Sequence, residues 1–354
     1  MKRIISLFLV CVLMFCSVNV INASGDNASV IKSLKVESDV IAYAEDMLPK
    51  HVGVLDMYGR GDRYDLGDGF TLLNVEENTF STCFAVLLGE DMVAILEIGR
   101  DGEKFYSSLS ESFAKELQEL LERKNNASFV LLTDGVHLQA YDGKEVYVLF
   151  ELYDDGTEFV DLSKKIKLNF SQLMDVNPKN KLIIGSDLNV GRAVDGPRSY
   201  RTLLVKGVSQ SGSTCWAATC AAIINYYKGT VLDDVTVAKY IYGNNWNQGG
   251  TWTEIKKAYN HWGLSPSQTG VISFDNVISN INQGKPMHLG LNGHSVGLIG
   301  YEDWRNVAGS GNEKILILLE PNGGVRKSVT MNSTGNFNYS LGGGNNAWIY
   351  TRKF

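Results

Sequence analysis

Cys215 stands in Gln210-Ser211-Gly212-Ser213-Thr214-Cys215-Trp216-Ala217-Ala218, where a polar, glycine-containing loop gives way to the mostly apolar run from Ala217 to Ile224. That change predicts a helix opening at the cysteine. A thiol is a useful nucleophile as thiolate, and the partial positive charge and free N–H groups of a helix N-terminus favour that anion. Downstream, His294 opens the apolar run Ser295-Val296-Gly297-Leu298-Ile299-Gly300-Tyr301, and Glu320 and Asn322 lie at the end of another, which begins at Ile315. A thiol, an imidazole to take its proton, and an amide or carboxylate to orient the imidazole are the parts of nucleophilic acyl transfer. Alone, Cys215 would be read as a small buried hydrophobe, the reading that suits Cys220 on the same helix. Joined to His294 it reads as chemical.

The elements that must hold these groups follow from periodicity. Helical patterns cover residues 216–227, 235–241 and 253–262, with the Gly-rich loop from Gly243 to Gly250 between the last two; strand-like runs cover 286–291, 294–301, 315–320 and 347–351. Helices first and strands last predict an α+β domain. His288, on the strand before His294, is the competing base. His294 follows a glycine and begins the longer run, which favours it. His261 ends a helix, where the dipole explains it. Trp246 and Trp252 flank the Gly-rich loop and read as loop anchors or as walls of a substrate cleft. The cysteines and histidines lack the spacing of a zinc site.

Cysteine at a helix start, then histidine on one strand and an amide or carboxylate at the end of the next, resembles a papain-like cysteine peptidase. Cys215 with Trp216 matches that family's nucleophile and following aromatic, His294 its base, and Gln210 the glutamine of its oxyanion hole. With Cys-Trp-Ala-Ala the chain is most similar to the bacterial staphopain-like and double-glycine-peptidase-like branch. The resemblance covers the chain from about Thr202 onward. It implies a papain-like domain with N-terminal helices packed on an antiparallel sheet, a peptide or protein substrate, and no metal or organic cofactor. In two places the chain departs from the pattern: Gln210 and Cys215 are one position closer together, and Glu320 stands where relatives carry asparagine or aspartate, with Asn322 as the alternative third residue.

Met1-Lys2-Arg3, the apolar run from Ile4 to about Val20, and Asn22-Ala23-Ser24 form the pattern of an export signal over residues 1–23, a retained signal anchor being the alternative. No later stretch reaches the roughly 20 apolar residues that cross a bilayer. Past the signal only Cys83, Cys215 and Cys220 remain, too few for a disulfide scaffold. Residues 24–195 hold 31 Asp and Glu against 17 Lys and Arg, a balance of −14; residues 196–354 hold 8 against 14, a balance of +6. Such asymmetry concerns association rather than fold. The basic part has no aromatic-interleaved Lys and Arg run, which argues against nucleic acid.

The acidic part reads as a smaller α+β domain over residues 24–190. A helix is expected at 33–48, stopped by Pro49, and another at 110–121; strands are expected at 70–75, 80–88, 92–98, 129–132, 136–141 and 146–152. Its histidines, His51 and His137, read as surface or satisfied structural groups. Residues 191–201, rich in Gly, Pro and Arg, read as an exposed linker before a catalytic domain over 202–354. The expected protein is a secreted, extracellular or cell-wall-associated endopeptidase made as a zymogen, with its own acidic pro-domain as a partner. The alternatives are a cell-wall amidase or leader-trimming peptidase of the same fold, and a degenerate peptidase fold serving as a surface-binding or inhibitory module.

Overall fold

Short runs of β-branched and aromatic residues, cut by Asn, Asp and Gly, make most of the first part strand. The structure, a computed structural model, describes residues 28–52, 64–151, 159–166, 172–182, 196–307, 311–337, 339 and 347–354. The expected export signal, and residues 191–195 of the expected linker, lie outside the described residues. The first part is built from β1 (Val30–Ser33), α1 (Ser38–Val52), β2 (Asp65–Leu66), β3 (Phe70–Asn74), β4 (Thr79–Leu88), β5 (Asp91–Asp101), β6 (Lys104–Ser110), α2 (Glu111–Arg123), β7 (Ser128–Thr133), β8 (His137–Tyr141), β9 (Val146–Glu151) and β10 (Met174–Val176).

The second part contains β11 (Ser199–Thr202), α3 (Cys215–Lys228), α4 (Asp234–Tyr242), α5 (Trp252–His261), β12 (Ser267–Thr269), α6 (Phe274–Asn282), β13 (Met287–Leu291), β14 (Ser295–Asp303), β15 (Lys314–Glu320), β16 (Val325–Thr330) and β17 (Trp348–Lys353). The chain is α+β, as its patterning predicts. Residues 199–201, expected in the exposed linker, instead begin an edge strand antiparallel to β14. The expected stop at Pro49 is also corrected, because α1 runs through it to Val52. Proline removes one N–H and crowds the preceding turn, but the residues after it are held: Lys50 pairs with Asp46 within α1, and His51 is buried between Ser328 and Ser107 of the sheet.

The second part's antiparallel pairings run β12–β17–β13–β14–β15–β16. The run does not end there. β16 pairs with β6, and through β6 continues into β5, β4 and β3. β7 lies parallel to both β3 and β1, so the sheet is mixed. At the seam Thr330 accepts from the Ser107 N–H and donates to the Ser107 carbonyl, at 2.9 and 3.1 Å. His51 lies between the hydroxyls of Ser328 and Ser107, at 2.7 and 2.8 Å. Met47 of α1 packs with Trp304 and Ile315, and one apolar core continues from Phe70 and Phe113 to Leu319, Phe337 and Trp348. Backbone pairing, apolar burial and neutral hydrogen bonds thus build this joint.

Helices α3, α4 and α5 share a second core of Trp216, Ala221, Ile224, Val237, Ile255 and Tyr259. Every residue of α3 from Cys215 to Ile224 is buried, as an apolar helix between two layers must be. Gly229, at φ 66°, ends it in the left-handed conformation typical of a helix C-terminus.

Candidate active site

Cys215 is the first residue of α3. Thr214 caps the helix without a side-chain bond to its N–H groups. The Thr214 hydroxyl donates instead to Asp234 Oδ2 at 2.5 Å. The same carboxylate accepts from the Ser211 N–H at 2.6 Å. Asp234 is buried at the start of α4, so a carboxylate from the next helix fixes the loop before Cys215. Sequence reasoning missed it; the signal was the Asp233-Asp234 pair at a helix start, where one carboxylate caps and the second is spare. Asp233 does the capping, accepting from the Thr236 N–H.

Trp216 anchors the Gly-rich loop. Its Nε1–H donates to the Gln248 carbonyl at 2.9 Å, and a Cβ on Gly250 would come within 2.4 Å of its ring. Asn247 accepts from the Ser213 N–H at 2.8 Å, tying that loop to the nucleophile's own. Residues 244–248 line an open depression of about 510 Å³ on this side. Trp246 and Trp252 pack partly buried against the helical core, as anchors do.

His294 sits in the turn between β13 and β14, closed by the Leu291 N–H donating to the His294 carbonyl at 2.8 Å. Thr219 fastens this turn to the helix, its hydroxyl reaching the carbonyls of both Cys215 and Ser295, at 2.9 and 3.2 Å. His294 Nε2 lies 3.0 and 3.3 Å from the two oxygens of Glu320. An ionised carboxylate only accepts, so Nε2 carries the hydrogen. Nδ1 is buried with no hydrogen-bond partner, which leaves it for the thiol. Burial pulls the imidazole's pKa down, but the Glu320 charge and then Cys215 outweigh it and raise it to about 10.

The third position resolves geometrically. Glu320 faces the imidazole; Asn322 does not. The Asn322 backbone N–H donates to Glu320 Oε1 at 2.8 Å, while its side chain turns away and donates to the Glu151 carbonyl of the first part at 2.7 Å. Gln210 is held to the same corner, its N–H donating to the Pro321 carbonyl at 2.8 Å. Behind it a Cβ on Gly207 would come within 1.8 Å of the Gly324 carbonyl oxygen, so this approach requires glycine. The Gln210 amide donates to the Gly212 carbonyl at 2.9 Å, and its oxygen is buried without a partner. The amide has a second hydrogen to give.

The competing base lies elsewhere. His288 Nδ1 meets the Tyr259 hydroxyl at 2.9 Å and Cys220 Sγ at 3.9 Å. Burial, then Arg352, holds its pKa well below the ordinary range. Burial also pushes the Cys220 thiol up to about 12. His261 stacks on Tyr240, with ring centroids 3.8 Å apart. His137 is paired with Asp134 at 2.8 Å. Among the described residues no cluster of His, Cys, Asp and Glu is arranged to hold a metal ion.

Residues 202–344 match the Peptidase_C39 like family, the same part of the chain that carries the site. This segment is similar to papain-like cysteine peptidases. No curated protein matches the chain in sequence. Among solved structures the chain is similar to UfSP from C. elegans at 10% identity and a TM-score of 0.29, over 92% of this chain and 76% of that one, a likeness too slight to bear on function.

Proposed function

We propose that the protein is a cysteine peptidase that cleaves peptide bonds through Cys215, with His294 as base and Glu320 as the residue that orients it. One observation carries the reading: His294 offers Nε2 to a buried carboxylate and keeps Nδ1, buried and otherwise unpartnered, for the thiol. With its pKa raised to about 10, His294 holds the Cys215 proton as imidazolium in the resting pair, and the thiolate attacks the peptide carbonyl carbon. A C–S bond forms and the carbonyl electrons move onto oxygen. The Cys215 N–H at the start of α3 and the second hydrogen of the Gln210 amide receive that oxyanion. As the intermediate collapses the C–N bond breaks, and His294 gives its proton to the departing amine. Water, deprotonated by His294, then attacks the thioester, releasing the acid and restoring the thiol.

Unfolded polypeptide is the substrate class, since the site is bounded by polar loops and the open depression at residues 244–248. The proposed place of action is outside the cell, on the strength of the Met1 to Ser24 pattern; among the described residues no helix is long and apolar enough to cross a membrane. Leader trimming is a second reading, favoured by the Cys-Trp-Ala-Ala resemblance to double-glycine peptidases. The first part of the chain reaches the edge of the site, its Glu151 carbonyl accepting from the Asn322 amide beside Glu320. The test is hydrolysis of casein and of a peptide library by the full chain and by Cys215→Ala. Turnover lost in the variant supports the reading, and cleavage confined to Gly-Gly sites selects leader trimming. Equal turnover in both proteins would remove the mechanism.

A further inference from the structure

Three buried charges that the proposed reaction does not employ directly, or employs only at one end, lie in a line on one face of the sheet. Alternate residues of a strand share a face, and so do directly paired residues of neighbouring strands. Glu320 pairs with Val325, which puts Lys327, two residues on, on the same side. Val329, on that side again, pairs across the seam with Ser108, Ser108 with Glu97, and Glu97 with Cys83. Glu320, Lys327 and Glu97 are 1%, 3% and 3% exposed. Signs therefore alternate, minus, plus, minus, from the second part of the chain into the first.

Such charges persist out of water only when they are paired. Burial lowers the Lys327 pKa, and the charges of Glu97 and then Glu320 oppose that fall. Tyr339 covers the line: the Lys327 ammonium lies 4.2 Å from its ring centroid, and its ring is 5.7 Å from that of His294. The ionisable neighbours on this face are His294 and, beyond it, Cys215 at the Glu320 end, with Cys83 and Tyr339 about Lys327. On the other face of β16, Arg326 meets Glu111 of α2, and Ser328 meets His51 of α1.

We propose that Lys327 is a positioning residue that holds Glu320 ionised against His294, and that Glu97 in turn holds Lys327 charged, so that the site is electrostatically complete only with the first part of the chain in place. This rests on the peptidase reading above. Loss of the ammonium takes the opposing positive charge away from the buried Glu320 carboxylate and so weakens its hold on the imidazolium. Loss of Glu97 acts in the same direction through Lys327.

The test is the pH dependence of Cys215 alkylation by iodoacetamide in the folded full chain, for the wild type, Glu97→Gln, Lys327→Met, Lys327→Arg and the Glu97→Gln/Lys327→Met pair. The acid limb should rise by about one pH unit, the scale of one neighbouring charge, in Glu97→Gln and in Lys327→Met. The pair should move no further than Lys327→Met alone, as expected of residues acting in series. Lys327→Arg should stay near the wild type. An unmoved limb in folded Glu97→Gln, or additive shifts in the pair, overturns the proposal. Should Lys327→Met fail to fold, Glu97→Gln alone decides. A wild type whose Cys215 reacts no faster than an ordinary thiol at every pH sinks the peptidase reading itself, which the variants then cannot rescue.

Discussion

Helix α3 carries two cysteines and the sheet beside it two histidines, and they meet as two pairs, Cys215 with His294 and Cys220 with His288. Residue types and helix are the same, yet the two histidines shift in opposite directions. His294 has a carboxylate at 3.0 Å and its pKa is raised to about 10; His288 meets a tyrosine hydroxyl at 2.9 Å, and burial, then Arg352, pushes its pKa well below the usual range. Cys215 begins the helix, whereas Cys220 sits more than a turn inside it, where the N–H groups are already used. A thiol beside an imidazole is therefore no site by itself. The carboxylate behind the histidine and the helix terminus before the cysteine make the difference.

The largest expected effect separates the pairs outright. Cys215→Ala and His294→Ala should each lower kcat by about a thousandfold or more, Cys215→Ala with near-native melting. Cys220→Ala and His288→Gln should keep activity within about tenfold and instead cost about 1–3 kcal/mol in urea unfolding, because they disturb a packed and hydrogen-bonded interior. Activity lost with Cys220 or His288 at unchanged stability would merge the two pairs into one site. Next, Glu320→Gln should cost about 10²- to 10⁴-fold in kcat. Asn322→Ala should cost only a few-fold, since its contribution to Glu320 is a backbone N–H that alanine keeps. A larger loss in Asn322→Ala would move the orienting role to that residue. Gln210→Ala should cost about a hundredfold in kcat with KM little changed, the signature of a donor used in the transition state.

Smaller effects belong to pH, and here His294 contrasts with a third histidine. His294 binds its proton more tightly folded than unfolded, so its contribution to stability is complete below pH 6.5 and is lost as pH rises through about 10. His51, its pKa lowered to about 3 first by burial and then by Lys50, works the other way. It costs nothing above pH 6.5, and its stability is lost as pH falls from there toward 3. Melting curves of wild type and His51→Gln should accordingly converge as the pH is lowered through that window, and those of wild type and His294→Gln should converge toward pH 10. A constant gap in either series would place the titration on other groups.

The placement of Cys215 near His294 and Glu320 was legible in the sequence because its signals are local: a polar loop before an apolar helix, a glycine before a histidine, a strand ending in a carboxylate. The choice between Glu320 and Asn322 was not, since both stand at one strand end and only the fold shows which side chain turns inward. The seam was the least legible part. Neither β6, Lys-Phe-Tyr-Ser-Ser-Leu-Ser, nor β16, Val-Arg-Lys-Ser-Val-Thr, has the apolar run of a central strand. Their Ser and Thr are buried because each finds its partner across the joint, Thr330 on Ser107 and Ser328 on His51, while the Lys327 ammonium lies over the Tyr339 ring. A charge difference between two stretches of chain says nothing of backbone pairing. The shared sheet and core predict that a cut between residues 183 and 195 leaves both parts together in gel filtration, at low and at high salt alike; separation on adding salt would show that charge holds them.

The central claim is that, of the three cysteines among the described residues, Cys215 alone is chemically activated by its setting. Peptide mapping by mass spectrometry, after brief iodoacetamide treatment of the folded full chain at about pH 6, below the ordinary thiol range, reads this directly. Modification of Cys215 alone, in step with loss of peptidase activity and with Cys83 and Cys220 protected until the chain is unfolded, is the predicted result. Modification of Cys220 or Cys83 at a similar rate, or a Cys215 that stays unmodified at that pH, would contradict it.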